Sequence, residues 1–284
     1  MIPRLDIKGP NLVKGIHLEG LRVLGKPERF AHHYYEHGAD ELIYMDVVAS
    51  LYERNSLLPI IEKTSEEIFI PLTVGGGLRT IDDIRTVLRA GADKVSLNTA
   101  AIRRPELVKE AAKRFGSSTI VISIEAKKRV DGSYEAYTDN GRVRTGVNVF
   151  EWAIRVAELG AGEILLTSID HEGTGTGFNL DLTRRIAQSV PIPVIACGGA
   201  GKLSHVYDVI QEGKADAVSF ASILHYKYIE QFYSDDDYSS EGNVEFLRGV
   251  RKFTKVEGAT LAEIKEYLET RGVLCRPVEN SINA

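Results

Sequence analysis

The 284-residue sequence predicts an α/β fold: a (β/α)8 TIM barrel built from two duplicated (β/α)4 halves. Two observations carry that expectation. The first is an internal repeat. Residues 70–100 (IPLTVGGGLRTIDDIRTVLRAGADKVSLNTA) and 192–222 (IPVIACGGAGKLSHVYDVIQEGKADAVSFAS) follow one pattern of apolar strand, glycine turn, helix, apolar strand and small polar loop. Gly75 matches Gly198 and Ala92 matches Ala215, in each case 123 positions on. Nearly the same shift carries Asp6 onto Glu125 and Asp46 onto Asp170. The second observation is that short apolar runs alternate with helical patterns along the whole chain. A doubly wound open sheet would share that alternation but would leave the repeat unexplained.

The expected strands are 2–7, 41–48, 70–74, 94–98, 119–125, 163–169, 192–196 and 217–220. They are near-continuous apolar runs, as parallel strands covered on both faces require. Helices are expected near 27–37, 55–66, 80–90, 104–114, 148–160, 180–188, 203–212 and 260–271. Thr80 with Asp83, and Thr260 with Glu263, have capping-box spacing, and Gly272 suits a helix stop. In the last helix Leu261, Ile264 and Leu268 share one face. One barrel domain is expected, with half-barrels at about 1–118 and 119–276, an insertion at 226–258 and a tail at 277–284. Asp235, Asp236 and Asp237 with their serines read as a solvated loop in that insertion, since adjacent side chains diverge too much to share a metal.

A net charge of -5 and a pI near 5.9 argue against a nucleic-acid surface. Cys197 and Cys275, the only cysteines, indicate no disulfide framework and suit a reducing cytoplasm. The N-terminal MIPRLDIKGP lacks the apolar core of a secretory leader, and no run is long enough to span a membrane.

In such barrels the chemistry sits at the C-terminal strand ends. There the sequence places Asp6, Asp46, Gly75-Gly76-Gly77, Asn98-Thr99, Glu125, Thr167-Ser168-Asp170 with Gly173-Thr174 beyond, Gly198-Gly199, and Ala221-Ser222. Glycine lets backbone N–H groups close around an anion, and each glycine turn precedes a helix whose N-terminus adds partial positive charge. A single such turn could serve only chain reversal. Two matched turns point to two phosphate cradles, and hence to a long ligand with a phosphate at each end. Asp6 and Glu125, related by the repeat, would face each other across the mouth as acid and base; the plainer alternative pairs each with a lysine such as Lys8, Lys14 or Lys127. Asp46 and Asp170 could instead orient loops. Cys197 has no evident histidine partner and is not expected to act as a nucleophile. His171 could touch substrate or stand exposed.

The runs LDIKGPNLVKG (5–15), TVGGG (73–77), DKVSLNTAA (93–101), GAGEILLTSIDHEGTGTGF (160–178) and IACGGAGK (195–202) resemble the cyclase subunit of imidazole glycerol phosphate synthase. The resemblance covers nearly the whole chain outside 226–258 and the tail. The sister isomerase of histidine biosynthesis shares the half-barrel repeat, but these runs are closer to the cyclase. The resemblance implies a lyase that takes ammonia from a separate glutaminase subunit and a linear bisphosphate, the ribulosyl form of an aminoimidazole carboxamide nucleotide. It implies no metal and no organic cofactor. Asp6 matches the family's acid–base aspartate. Lys14, Asp46, Gly77, Asn98, Thr99, Gly199, Ala221 and Ser222 match positions lining the substrate pocket, and Gly76, Thr167, Asp170, Glu172, Gly173 and Gly198 are counted with them. Glu41, Lys94 and Glu163 match charged residues at the ammonia entrance; the arginine completing that ring would fall before Met1.

Some residues depart from the family pattern. Glu125 and Glu172 stand where the family has aspartate, and Cys197 where many members have serine. One added methylene extends a carboxylate by about 1.5 Å, and misplacement by ~1 Å can cost ~100-fold in rate. These departures and the insertion raise an alternative: a paralogue relaying ammonia for amidination of a surface-polysaccharide sugar. A non-catalytic binding subunit is a third reading.

Overall fold

The computed structural model describes residues 1–49, 57–232 and 256–278. Eight parallel strands close into a barrel: β1 (Ile2–Lys8), β4 (Leu42–Asp46), β5 (Leu72–Gly75), β6 (Lys94–Leu97), β7 (Ile120–Lys128), β10 (Glu163–Ser168), β11 (Val194–Cys197) and β12 (Ala217–Phe220). β10 pairs with β7 and β12 with β1, so the ring has no open edge. The open-sheet alternative is thereby excluded.

Alternation along the strands separates two cores. Leu5, Ile7, Leu42, Tyr44, Ile122 and Ile124 face outward, into the layer between sheet and helices. Ile2, Ile43, Met45, Val121, Leu165, Ile195 and Cys197 face the lumen. The outer layer holds α1 (Pro27–Glu36), α2 (Leu58–Glu67), α3 (Ile81–Arg89), α4 (Thr99–Arg103), α5 (Glu106–Phe115), α6 (Val149–Glu158), α7 (Leu180–Ala187), α8 (Leu203–Gln211), α9 (Ser222–Gln231) and α10 (Leu261–Glu269). Both predicted capping boxes form, at Thr80/Asp83 and Thr260/Glu263. Leu261, Ile264 and Leu268 are buried as expected.

Two β-hairpins were not anticipated. β2 (Asn11–Ile16) with β3 (Glu19–Gly25) follows β1, and β8 (Tyr134–Thr138) with β9 (Val143–Asn148) follows β7. They occupy equivalent places in the two halves, so the repeat extends to them. Their turns meet over the barrel mouth, where Asn140 Nδ2 donates to the Leu18 carbonyl at 3.2 Å. The expected break at 226–258 also changes: residues 226–231 belong to α9, which runs directly from the end of β12. Residues 233–255, including Asp235, Asp236 and Asp237, lie outside the described residues.

Candidate active site

Strand alternation turns Asp6 into the barrel mouth, and β2 crosses beside it with Val13 opposite Asp6 in the ladder. This antiparallel return brings Lys14 over the mouth, where its Nζ lies 3.9 Å from Asp6 Oδ2 and also bonds Glu172. On the other side Arg4 Nε donates to Asp6 Oδ1 at 2.8 Å. Asp6 is 3% exposed, so it is a buried carboxylate between two buried cations. Burial opposes charge on Arg4 and Lys14, yet Asp6 and Glu172 outweigh it and both cations end above their ordinary values. Asp6 thus takes the lysine partner that its plainer reading anticipated, but its closer partner is the unforeseen Arg4.

Glu125, from the equivalent place in the second half, has the opposite setting. Burial pushes its pKa up to about 7, with the Asp6 and Asp139 carboxylates adding to the rise. Arg4 and the Gly141 N–H, which donates to Glu125 Oε2 at 2.7 Å, pull the other way but do not prevail. No lysine pairs with it among the described residues. The mouth thus holds two carboxyl groups in opposite settings, one ion-paired and the other inclined to keep its proton near neutrality, the combination that acid–base chemistry requires.

Two cavities flank them. The first, about 220 Å³, is lined by Asp46, Gly76, Gly77, Asn98, Thr99 and Glu125, together with Arg79, Arg103 and Arg104. Gly76 has φ +99°, and a Cβ there would sit 2.2 Å from the Asp46 carbonyl oxygen, so the turn closes only without a side chain. Both polar atoms of the Asn98 amide are buried without a partner among the described residues, available to a ligand. Asp46 both lines this cavity and orders its own loop, accepting from the N–H groups of Val48 and Ala49 at 3.1 and 2.9 Å. The second cavity, about 10 Å³, is lined by Arg4, Lys14, Glu172, Gly173, Cys197, Gly198, Gly199, Ala221 and Ser222. Here Gly199 has φ +113° and a Cβ would lie 2.0 Å from the Gly177 carbonyl oxygen. The Glu172 side chain reaches into this space, close against Gly198 and bonded to Lys14.

Most of the predicted site residues therefore gather at one end of the barrel, in two groups related by the repeat. Thr167 lies deeper, accepting from Arg4 Nη1 at 3.3 Å without lining either cavity. Asp170 is exposed and lines neither; it accepts from the Lys128 N–H at 2.8 Å and anchors its loop to β7. His171 Nδ1 bonds the Gly177 carbonyl at 2.6 Å, again a loop contact. Burial raises the Cys197 thiol, which disfavours a nucleophilic thiolate. Sequence reasoning overlooked Arg4 and the rim arginines. Strand period alone could have found Arg4, two residues before Asp6 and hence on the same face.

At the opposite end, Lys94 Nζ bonds Glu163 Oε1 at 2.7 Å and both Glu41 oxygens at 3.0 and 3.1 Å. The three predicted entrance residues thus form one charged cluster at the N-terminal face. Burial works against the Lys94 charge, but the two glutamates raise its pKa overall.

The profile of a family described as "Histidine biosynthesis protein" matches residues 1–230. A Legionella pneumophila protein named imidazole glycerol phosphate synthase subunit HisF is 60% identical over 203 residues, covering 72% of this chain and 96% of the relative. One of the same name from Alkaliphilus metalliredigens (strain QYMF) is 48% identical over 229 residues, covering 81% of this chain and 91% of the relative. The chain belongs to the histidine biosynthesis protein family, on its HisF cyclase branch.

Proposed function

We propose that the chain combines ammonia with the ribulosyl bisphosphate of an aminoimidazole carboxamide nucleotide. The products are imidazole glycerol phosphate and an aminoimidazole carboxamide ribotide. A separate glutaminase subunit supplies the ammonia at the face carrying Glu41, Lys94 and Glu163. The observation that carries this reading is the pairing of Asp6 and Glu125 between two glycine-walled cavities. One phosphate docks against Gly76, Gly77, Asn98 and Thr99 under the rim arginines. The other docks against Gly198, Gly199, Ala221 and Ser222, and Glu172 must turn aside to admit it.

The chemistry follows from the two carboxyl settings. The lone pair of ammonia forms a C–N bond to the substrate ketone carbon while the carbonyl π pair moves to oxygen. Asp6 takes a proton from that nitrogen, and protonated Glu125 gives one to the oxygen, so the adduct leaves neutral. Later proton transfers that cleave the C–N bond and close the imidazole ring use the same pair. No step calls for a metal or an organic cofactor. The sugar-amidination alternative draws no support from the relatives, both of which carry the synthase-subunit name.

Purified protein mixed with ammonium salt and the bisphosphate is expected to consume the substrate's absorbance and release both products. Absence of turnover together with undetectable binding of the bisphosphate would overturn the reading.

A further inference from the structure

Small barrels fill their lumen with branched apolar side chains, and most of this lumen conforms: Ile2, Ile43, Val121, Leu165 and Ile195 pack together there. Arg4 breaks the pattern. It lies on the inward face of β1 between Ile2 and Asp6 and is 2% exposed. Its Nη1 reaches Thr167 on β10 at 3.3 Å and Cys197 on β11 at 3.7 Å. From β1 the ring runs through β12 and β11 to β10, so the guanidinium spans three strand positions and crosses the lumen. It does so between the charged cluster of Glu41, Lys94 and Glu163 at one end and the Asp6–Glu125 mouth at the other. Its bond from Nε to Asp6 fixes the level: the cation lies directly beneath the carboxylate.

The hydrogen-bond inventory of Arg4 is incomplete. A guanidinium carries five N–H donors and accepts nothing. Nε serves Asp6, Nη1 serves Thr167 and Cys197, and Nη2 is buried without a partner among the described residues. A buried unused donor costs free energy, and an apolar side chain of similar volume would have avoided that cost. Such a donor suits a small visitor with a lone pair and no charge. Neutral ammonia fits, because it accepts one hydrogen bond and its own N–H groups can point at Asp6. Ammonium has no lone pair and meets a fixed cation. Asp6 does not offset that contact, because Arg4 and Lys14 already balance its charge. The charged groups around Arg4 are Asp6, Glu172, Glu125 and Lys14, and Cys197 is also close.

We propose that Arg4 determines specificity for the nitrogen nucleophile: its guanidinium, set across the lumen beneath Asp6, receives neutral ammonia and rejects ammonium. Through Nε it is also a positioning residue, holding the Asp6 carboxylate toward the arriving nitrogen. This inference rests on the ammonia-using reaction proposed above.

The test is turnover of the bisphosphate at two pH values, with ammonium chloride as the only nitrogen source. For the native protein the KM, expressed as free ammonia, should be the same at both pH values, with no inhibition by the excess ammonium present at the lower pH. Arg4→Leu should raise that KM by about 10-fold or more and make ammonium a competitive inhibitor, since the lumen then lacks its fixed cation. Arg4→Lys keeps the charge and loses the fork; it should still exclude ammonium while kcat falls by about 10-fold as Asp6 loses its fixed partner. An Arg4→Leu protein with native KM and no ammonium inhibition would overturn the inference. Should neither variant fold, the native protein still decides, because competitive inhibition of the native protein by ammonium is equally fatal to it. The two readings fail differently. A native protein that never turns the bisphosphate over removes both, whereas native turnover with ammonium inhibition removes this inference alone.

Discussion

The two cavities at the barrel mouth descend from one repeated pattern, yet they stand in different states. The first, beside Gly76 and Gly77, is an open space of about 220 Å³ rimmed by Arg79, Arg103 and Arg104. The second, beside Gly198 and Gly199, is nearly closed at about 10 Å³. Backbone geometry is not the cause, since both turns use positive-φ glycines that a Cβ would forbid. The difference lies in side chains. The first half offers cations at its rim, while in the second the Glu172 carboxylate, bonded to Lys14, takes the place an incoming anion would fill. The two halves thus share the glycine-turn backbone and differ in the side chains around it. A ligand with two phosphates would engage the open cavity first and reach the second by displacing an internal anion.

The largest expected effect falls at Asp6. Asp6→Asn keeps the shape of a residue wedged between Arg4 and Lys14 but cannot accept a proton. It should lower ammonia-driven turnover by about 1,000-fold; a native far-UV circular-dichroism spectrum is the control for folding, and the melting temperature should fall because Arg4 and Lys14 lose a buried counter-charge. Turnover within a few-fold of native would show that proton transfer is centred elsewhere. Next comes Glu125→Gln, expected to cost about 100-fold in kcat. The native rate should decline as pH rises through about 7, when Glu125 loses the proton it donates. In the glutamine variant that descending limb should vanish.

The same raised value has a consequence for stability. Between the ordinary glutamate value and about 7 the folded chain retains a proton that the unfolded chain has released, so stability falls as pH rises across that window. Denaturant melts of native and Glu125→Gln proteins at pH 5 and pH 7.5 should show the native protein losing more stability than the variant.

The smallest effect bears most directly on the contrast between cavities. Glu172→Asp withdraws the carboxylate by one methylene, about 1.5 Å, and should open the second cavity. Inorganic phosphate, titrated calorimetrically, should then bind several-fold more tightly at that site. The first site, sharing no residue with Glu172, should keep its affinity. Unchanged phosphate binding at both sites would mean that the glutamate does not compete with anions.

How much of this was legible in the chain follows from the range of the interactions. Barrel strands are short apolar runs whose burial is written in local composition, and all eight lie where the runs predict. The glycine turns and strand-end carboxyl groups were readable for the same reason. The hairpins were not. β3 and β9 are partly exposed, and Gly20 and Gly146 give them the look of loops. Helix α9 was masked by the polar stretch that follows it. Arg4 was missed because its meaning is non-local: its partners Thr167 and Cys197 lie 163 and 193 residues along the chain. The closure of the second cavity has the same character, since it requires Lys14 on one hairpin to meet Glu172 on a distant loop.

The most direct measurement is a crystal of the native protein soaked with the bisphosphate substrate. One molecule should span the mouth, with a phosphate at Gly76–Gly77, the other at Gly198–Gly199, and the Glu172 side chain rotated away from Gly198. A substrate bound at one turn only, with Glu172 still against Gly198 and Lys14, would contradict the two-cradle account.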